Sequence, residues 1–139
     1  MDHQLVEKAR ELLNRNLIST TLSTVDVNYR VNIAVVSILE MIDDETIICA
    51  RFGADLTYAN LKATGQGVFM VLITDNNTRK DGIRVYVELI DDQTSGEYYD
   101  RVKMRLLNSN YRQFPLKNCL VFKIIGIAPV STLAIKKES

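Results

Sequence analysis

The strongest constraint on this chain is a series of β-branched and apolar runs separated by intervals that leave little room for crossover helices. Leu17-Ile18-Ser19-Thr20-Thr21-Leu22-Ser23-Thr24-Val25 and Arg30-Val31-Asn32-Ile33-Ala34-Val35-Val36-Ser37-Ile38-Leu39 both favour extended backbone. Between them, Asp26-Val27-Asn28-Tyr29 supplies turn-favouring side chains, so the two runs are predicted to pair as a hairpin. A third run, Thr46-Ile47-Ile48-Cys49-Ala50-Arg51, follows the polar turn Asp43-Asp44-Glu45. A fourth, over residues 67–74, is almost wholly apolar, as expected where both faces are covered. Residues 83–90 alternate for part of their length, and residues 119–128 form the last run before Pro129. Parallel neighbours need a crossover of about a dozen residues or more, and the intervals after the first and fourth runs are too short or too polar to supply one. Six short strands are therefore predicted to pair antiparallel and to close, since closure hides edge hydrogen-bonding groups. The predicted fold is mainly β with peripheral helices, a six-stranded antiparallel barrel.

Three helices fit between the strands. Leu5, Val6, Ala9, Leu12 and Leu13 recur at helical spacing over residues 4–16, giving an apolar stripe that can cover one end of a barrel or join a subunit interface. After Gly53, residues 54–64 can make two to three turns, with the Asp55 carboxylate as the best N-cap. Thr64-Gly65-Gln66-Gly67 reads as helix exit and strand entry. A third helix is predicted between Gly96 and Asn108. Its Tyr98, Tyr99, Arg101 and Lys103 would form either an aromatic and basic rim for a ligand or subunit, or a helix surface with core contacts. Residues 76–82 read as a polar connection in which Asp81-Gly82 is the turn signal, and Lys136-Lys137 as a solvated basic end. With 139 residues, no internal repeat and no linker-like tract, the chain is expected to be one domain.

Composition removes several function classes. Lysine plus arginine and aspartate plus glutamate both total 17, so no overall charge favours nucleic acid or anionic lipid. The 70 residues ending at Met70 carry 6 basic and 9 acidic side chains, leaving an excess of cations in the remainder that can face early carboxylates or an anion. One histidine, His3, is too few for a histidine-rich metal site or a serine-histidine-acid triad. No glycine pattern matches a dinucleotide fingerprint or a Walker loop. Cys49 and Cys119 sit in apolar runs, which favours buried thiols in a reducing compartment. No segment has the length of a membrane span and the first residues do not read as a secretion signal, so a cytoplasmic protein is expected.

The stretch Thr46-Ile47-Ile48-Cys49-Ala50-Arg51-Phe52-Gly53-Ala54-Asp55-Leu56-Thr57-Tyr58-Ala59-Asn60-Leu61 resembles a strand, phosphate-side loop and Thr-x-x-Asn-Leu helix of the pyridoxamine 5'-phosphate oxidase-like, FMN-binding split-barrel superfamily. Leu22-Ser23-Thr24-Val25 and Val31-Asn32-Ile33-Ala34 resemble that family's first hairpin, and the resemblance spans about residues 5 to 130. It implies a split barrel, FMN as cofactor and a homodimer with two flavin sites between subunits. Arg51 and Thr57 would contact the flavin phosphate, Asn60 would organise the adjoining helix, and Asn32, Ile33 and Ala34 would line the flavin side of a strand. Phe52 and Tyr58 would either pack beside the flavin or seal the barrel. The allocation has a physical basis, because a phosphate needs positive charge and directed donors whereas a flavin ring needs apolar contact and a few aimed hydrogen bonds.

One departure bears on function. Many relatives place a lysine directly before the threonine of this segment; here Leu56 stands there, preceded by Asp55. Arg51 is then the nearest cation, with Arg79 or Lys80 as candidates from another loop or subunit. Two readings follow: an FMN-binding flavoprotein, an oxidoreductase if it is catalytic, and a non-enzymatic small-ligand-binding or structural dimer on the same barrel. A flavin reductase-like protein and one using a different flavin-type cofactor are variants of the first. Neither nucleic acid nor membrane is expected as a partner, and a small molecule or electron-transfer partner is expected as substrate.

Overall fold

The computed structural model describes residues 2–17, 19–53 and 55–130. The Lys136-Lys137 end lies outside the described residues. The elements run α1 (His3–Asn14), β1 (Thr21–Val25), β2 (Val31–Val35), β3 (Leu39–Met41), β4 (Thr46–Arg51), α2 (Leu56–Thr64), β5 (Gln66–Asp75), β6 (Thr78–Gln93), α3 (Glu97–Leu107) and β7 (Asn118–Ala128). The strands form one sheet in the order β2-β1-β5-β6-β7-β4-β3, and every neighbouring pair is antiparallel.

The sheet has seven strands rather than the predicted six, because the run from Arg30 to Leu39 is divided. Its first half is β2 at one edge and its second half is β3 at the other edge. Only Val36, Ser37 and Ile38 join them, and four residue steps span at most roughly 14 Å of extended chain. The sheet must therefore curl until its edges approach, giving a split barrel. The link is pinned at both ends: Val36 donates its N–H to the Thr20 carbonyl at 3.1 Å, and Ala50 donates to the Ile38 carbonyl at 2.9 Å.

Local chemistry explains the other boundaries. Asp26 shapes the β1–β2 turn by accepting from the Asn28 and Arg30 backbone N–H groups at 2.7 and 3.0 Å. Asp55 caps α2 by accepting from the Tyr58 N–H at 2.7 Å, and Gly65 ends it in the left-handed conformation at φ 74°. The β5–β6 turn is made by Asn76 and Asn77, at φ 47° and 66°, a two-residue connection that asparagine tolerates well. The Asp81-Gly82 turn expectation is therefore corrected: both residues lie inside β6, opposite Ile73 and Leu72. Glycine is needed there for a different reason, since a Cβ on Gly82 would meet the Val71 carbonyl oxygen at 2.8 Å and Val130 at 2.7 Å.

The barrel interior is filled by Leu22, Met41, Ile47, Phe69, Val85, Phe122 and their neighbours, with the Phe69 and Phe122 rings edge to face at 5.2 Å. The apolar stripe of α1, Val6, Ala9, Leu12 and Leu13, packs into this same core. A second cluster lies where Val102 and Leu106 of α3 cover Ile48, Cys119 and Val121 of β4 and β7. Tyr98 and Tyr99 pack against that cluster, while Arg101 pairs with Glu40, so these α3 residues fasten the helix to the sheet. Cys49 and Cys119 are free and buried, and burial pushes their thiols up to about 12 and about 11. No helix among the described residues is long and apolar enough to cross a membrane.

Candidate functional site

A cavity of about 150 Å³ opens in the seam between the two sheet edges, bounded by β2, the 36–38 link, the end of β4 and the first turn of α2. Its floor is apolar, with Leu22, Cys49 and Leu120, and its polar lining includes Ser37, Arg51, Asp55 and Thr57. Four of the seven residues singled out from the sequence line it: Ala34, Arg51, Phe52 and Thr57.

Among the described residues lining the cavity, Arg51 is the one cation. Its Cζ stands 3.7 Å from the centre of the Tyr58 ring, and one terminal nitrogen donates to Asn118 Oδ1 at 3.0 Å. Its Nε is buried with no hydrogen-bond partner among the described residues. A buried cationic donor left unpaired is costly, so such a group is characteristic of a site that an acceptor completes. The N-terminus of α2 lies on the same cavity, and the first-turn N–H groups of a helix favour anions. Asp55 works against this, because its carboxylate also lines the cavity; its cap to Tyr58 turns one oxygen toward the helix.

The remaining candidates are distributed around this centre. Asn32 faces inward on β2 and donates from Nδ2 to Thr57 Oγ1 at 3.0 Å, fixing the threonine from the opposite edge. Ile33, on the other face of β2, is exposed. Asn60 is buried beneath α2 and donates to Thr24 Oγ1 at 3.1 Å, tying the helix to β1 without lining the cavity. Phe52 lines the cavity with its ring tilted against Phe114 at 5.9 Å. Leu56, directly before Thr57, is 58% exposed. Arg79 and Lys80 sit at the β5–β6 hairpin and are not among the lining residues; Lys80 lies 3.8 Å from Asp75.

Behind Arg51 is a polar group that the sequence did not single out. Asp92 accepts from the Tyr58 hydroxyl at 2.6 Å and from Lys62 Nζ at 3.3 Å. The Tyr58 hydrogen bond, aided by Lys62 and Asn118 and opposed by burial, holds the Asp92 carboxyl below its ordinary value. Neither Asp92 nor Asn118 lies in a recognisable motif; they meet Arg51 only because β6, β7 and β4 are neighbours.

The donor set and apolar floor fit the phosphate end of a nucleotide-like cofactor. The volume does not fit all of one, since sites that enclose a ligand of that size run to roughly 300–1,000 Å³. Fold and site together define a split barrel whose seam cavity sets the buried Arg51 Nε beside a helix start.

No family model matches the chain, and no curated protein matches it. Among solved structures, an FMN-binding protein from Syntrophomonas wolfei subsp. wolfei is 72% identical, covering 94% of this chain and 89% of that one with a TM-score of 0.90. A Clostridium acetobutylicum protein related to general stress protein 26 of B. subtilis, of the pyridoxinephosphate oxidase family, is 13% identical over 96% of this chain and 92% of its own, with a TM-score of 0.65. HutZ, the heme storage protein from Vibrio cholerae, is 14% identical over 91% and 93%, with a TM-score of 0.59. The last two likenesses concern the fold alone. The chain belongs to the same family as the Syntrophomonas wolfei protein and shares its split-barrel fold with the pyridoxinephosphate oxidase family protein.

Proposed function

We propose that this protein binds FMN in the seam of the barrel, with the phosphate on Arg51 and the start of α2, and that it acts as a homodimeric, cytoplasmic oxidoreductase. The observation that carries the reading is the buried Arg51 Nε, without a hydrogen-bond partner among the described residues, beside a helix N-terminus in one small cavity. The 72% identical FMN-binding protein supports the choice of cofactor. Arg51 and Thr57 would hold the phosphate, Asn32 would fix the Thr57 hydroxyl, and Ala34 and Phe52 would give apolar contact. When bound, FMN supplies hydride and single-electron transfer. The chain's own task is to bind and orient it and to keep water from its apolar parts.

The dimer follows from what one chain leaves open. The cavity takes only the phosphate end, so a second surface must cover the rest. On the outer face of the sheet, Val31, Ile33 and Val35 of β2 and Ile125 of β7 are all more than half exposed. A groove of about 530 Å³ runs along this face past Val31, Val68, Tyr86 and Ile125. A contiguous exposed apolar surface of this kind is characteristic of an interface. The two buried free thiols fit a reducing setting.

Asp55 on the rim and Leu56 in place of lysine favour a second reading, a non-enzymatic small-ligand-binding dimer. A visible absorption spectrum of freshly purified protein, followed by FMN titration of the apo form, separates the two. Two flavin bands and saturable binding are expected; a colourless protein without measurable FMN affinity would leave the second reading. Arg51→Ala should lower FMN affinity by roughly ten- to a hundredfold, the loss of a charge-assisted hydrogen-bond set, with the barrel still folded. Unchanged affinity removes the phosphate role.

A further inference from the structure

We propose that Asp92 is a positioning residue for the anion site: acting through Tyr58, it holds the Arg51 guanidinium in the orientation that receives the phosphate. This rests on the phosphate reading of Arg51 given above.

Arg51, Asn118 and Asp92 occupy three neighbouring strands, β4, β7 and β6. Arg51 is opposite Asn118 in the β4–β7 register, and Asp92 is opposite Leu120, one inward-facing position along β7 from Asn118. Cys49 and Leu120, which follow Arg51 and Asn118 inward along those strands, belong to the barrel core. The three polar residues thus form a rung across the inner face at the mouth.

Asp92 reaches that face only because β6 is irregular. Leu89 pairs with Phe122 and Asp91 with Val121, so Ile90 is an extra residue with no partner of its own. Side chains alternate along a strand, and a bulge of this kind reverses which face the following residues present. Leu89 packs on the barrel core; without the extra residue Asp91 would share its face and Asp92 would point outward. Ile90 itself is left 57% exposed, so its place is not explained by burial.

The consequence reaches Arg51 through Tyr58, while Asn118 holds the guanidinium from the other side. The Asn118 side chain accepts from Arg51 through Oδ1 at 3.0 Å and holds one side of the guanidinium. The Tyr58 hydroxyl donates to Asp92 at 2.6 Å, which fixes the ring over which Arg51 lies. Arg51 therefore has two of its sides constrained while its Nε has no hydrogen-bond partner among the described residues. Asp92 itself does not line the cavity.

The sign of the effect separates positioning from plain electrostatics. Removing a carboxylate near an anion site raises anion affinity by Coulomb's law alone. Loss of positioning lowers it. In calorimetric or fluorescence titrations, Asp92→Asn is expected to weaken FMN roughly tenfold, the scale of one charge-assisted hydrogen bond, while riboflavin, which lacks the phosphate, binds as it does to the wild type. Asp92→Asn affinity for FMN that equals or exceeds the wild-type value overturns the proposal, and so does an equal loss for both ligands, which marks general damage. Wild-type protein that binds riboflavin as tightly as FMN, or binds neither, instead overturns the parent phosphate assignment and takes this role with it. Should Asp92→Asn fail to fold, Tyr58→Phe keeps the ring under Arg51 and removes only the donation to Asp92. It should weaken FMN severalfold and leave riboflavin unchanged; no FMN-specific loss overturns the proposal.

Discussion

Arg51 is held by an aromatic ring and an amide, and no salt bridge to it occurs among the described residues. A carboxylate partner would fix the side chain equally well but would cancel most of the field that an anion needs. Stacking on Tyr58 orients the planar guanidinium and leaves its charge in place. Lysine has the same charge without the plane or the fork, so Arg51→Lys should bind FMN less tightly than the wild type and more tightly than Arg51→Ala, as read by titration of the three proteins. At this scale the sequence was partly legible. Arg51 and Thr57 stand in a local motif beside a glycine and a helix start, and both line the cavity. Asp92 and Asn118 were invisible because their relation to Arg51 exists only across strands. Asn60 shows the complementary case, where a residue in the motif serves the backbone by bonding Thr24 beneath the helix.

Among elements, α3 is attached beyond apolar packing by an ion-pair cluster on Glu40 and by an Arg105 donation to the Asn14 carbonyl at 3.4 Å. Glu40 of β3 is nearly buried and accepts from Arg101 Nε at 2.9 Å and from a terminal nitrogen of the same guanidinium at 2.6 Å, with Arg105 Nε 3.4 Å away. The late-chain excess of cations therefore finds an early carboxylate here, one of the two uses open from charge distribution alone. Glu40→Gln should cost roughly 1–3 kcal/mol of stability at neutral pH, measured by denaturant unfolding. The Arg101 hydrogen bonds, with Arg105 adding and burial opposing, hold the Glu40 carboxyl below its ordinary 4.5. A depressed carboxylate stabilises the fold above the unfolded-state value and loses that contribution as pH falls through the folded-state value. The gap between wild type and Glu40→Gln should thus be full at pH 7 and shrink below about 4.5; a gap independent of pH would remove the charge from the explanation. Element positions were legible wherever a side chain acts on its own neighbours, as Asp55 and Gly65 do at the two ends of α2. They were not legible where tertiary pairing decides. Asp81-Gly82 has the composition of a turn yet continues a strand, because the chain has already turned at Asn76-Asn77 and the backbone of β5 presses against Gly82.

For the whole molecule, the decisive event is that one β-rich run serves both edges of the sheet. Strand composition foretold antiparallel closure, but nothing within Val36-Ser37-Ile38 signals that the chain leaves one edge and joins the other. The same closure creates the seam cavity and turns Val31, Ile33 and Val35 outward at the opposite face. A single subunit then presents a small seam cavity and an uncovered apolar surface, and the proposed second copy of the chain would cover both. Ile125 tests this at a distance from the cavity. It is exposed on the outer face, lines the groove and has no partner in the β6–β7 register, where Tyr86 faces Gly126 and Val87 faces Ile124. Ile125→Glu leaves an isolated chain little changed, because the new carboxylate stays in water. In a dimer it would be desolvated opposite apolar side chains at a cost of about 3 kcal/mol or more, weakening association by roughly a hundredfold. Light scattering over a range of concentrations should find the wild type dimeric and Ile125→Glu shifted toward monomer, with unfolding of the isolated subunit unaltered and FMN affinity reduced. A wild-type chain that stays monomeric while binding FMN tightly would instead require one subunit to cover the flavin alone, which a cavity of about 150 Å³ is too small to do.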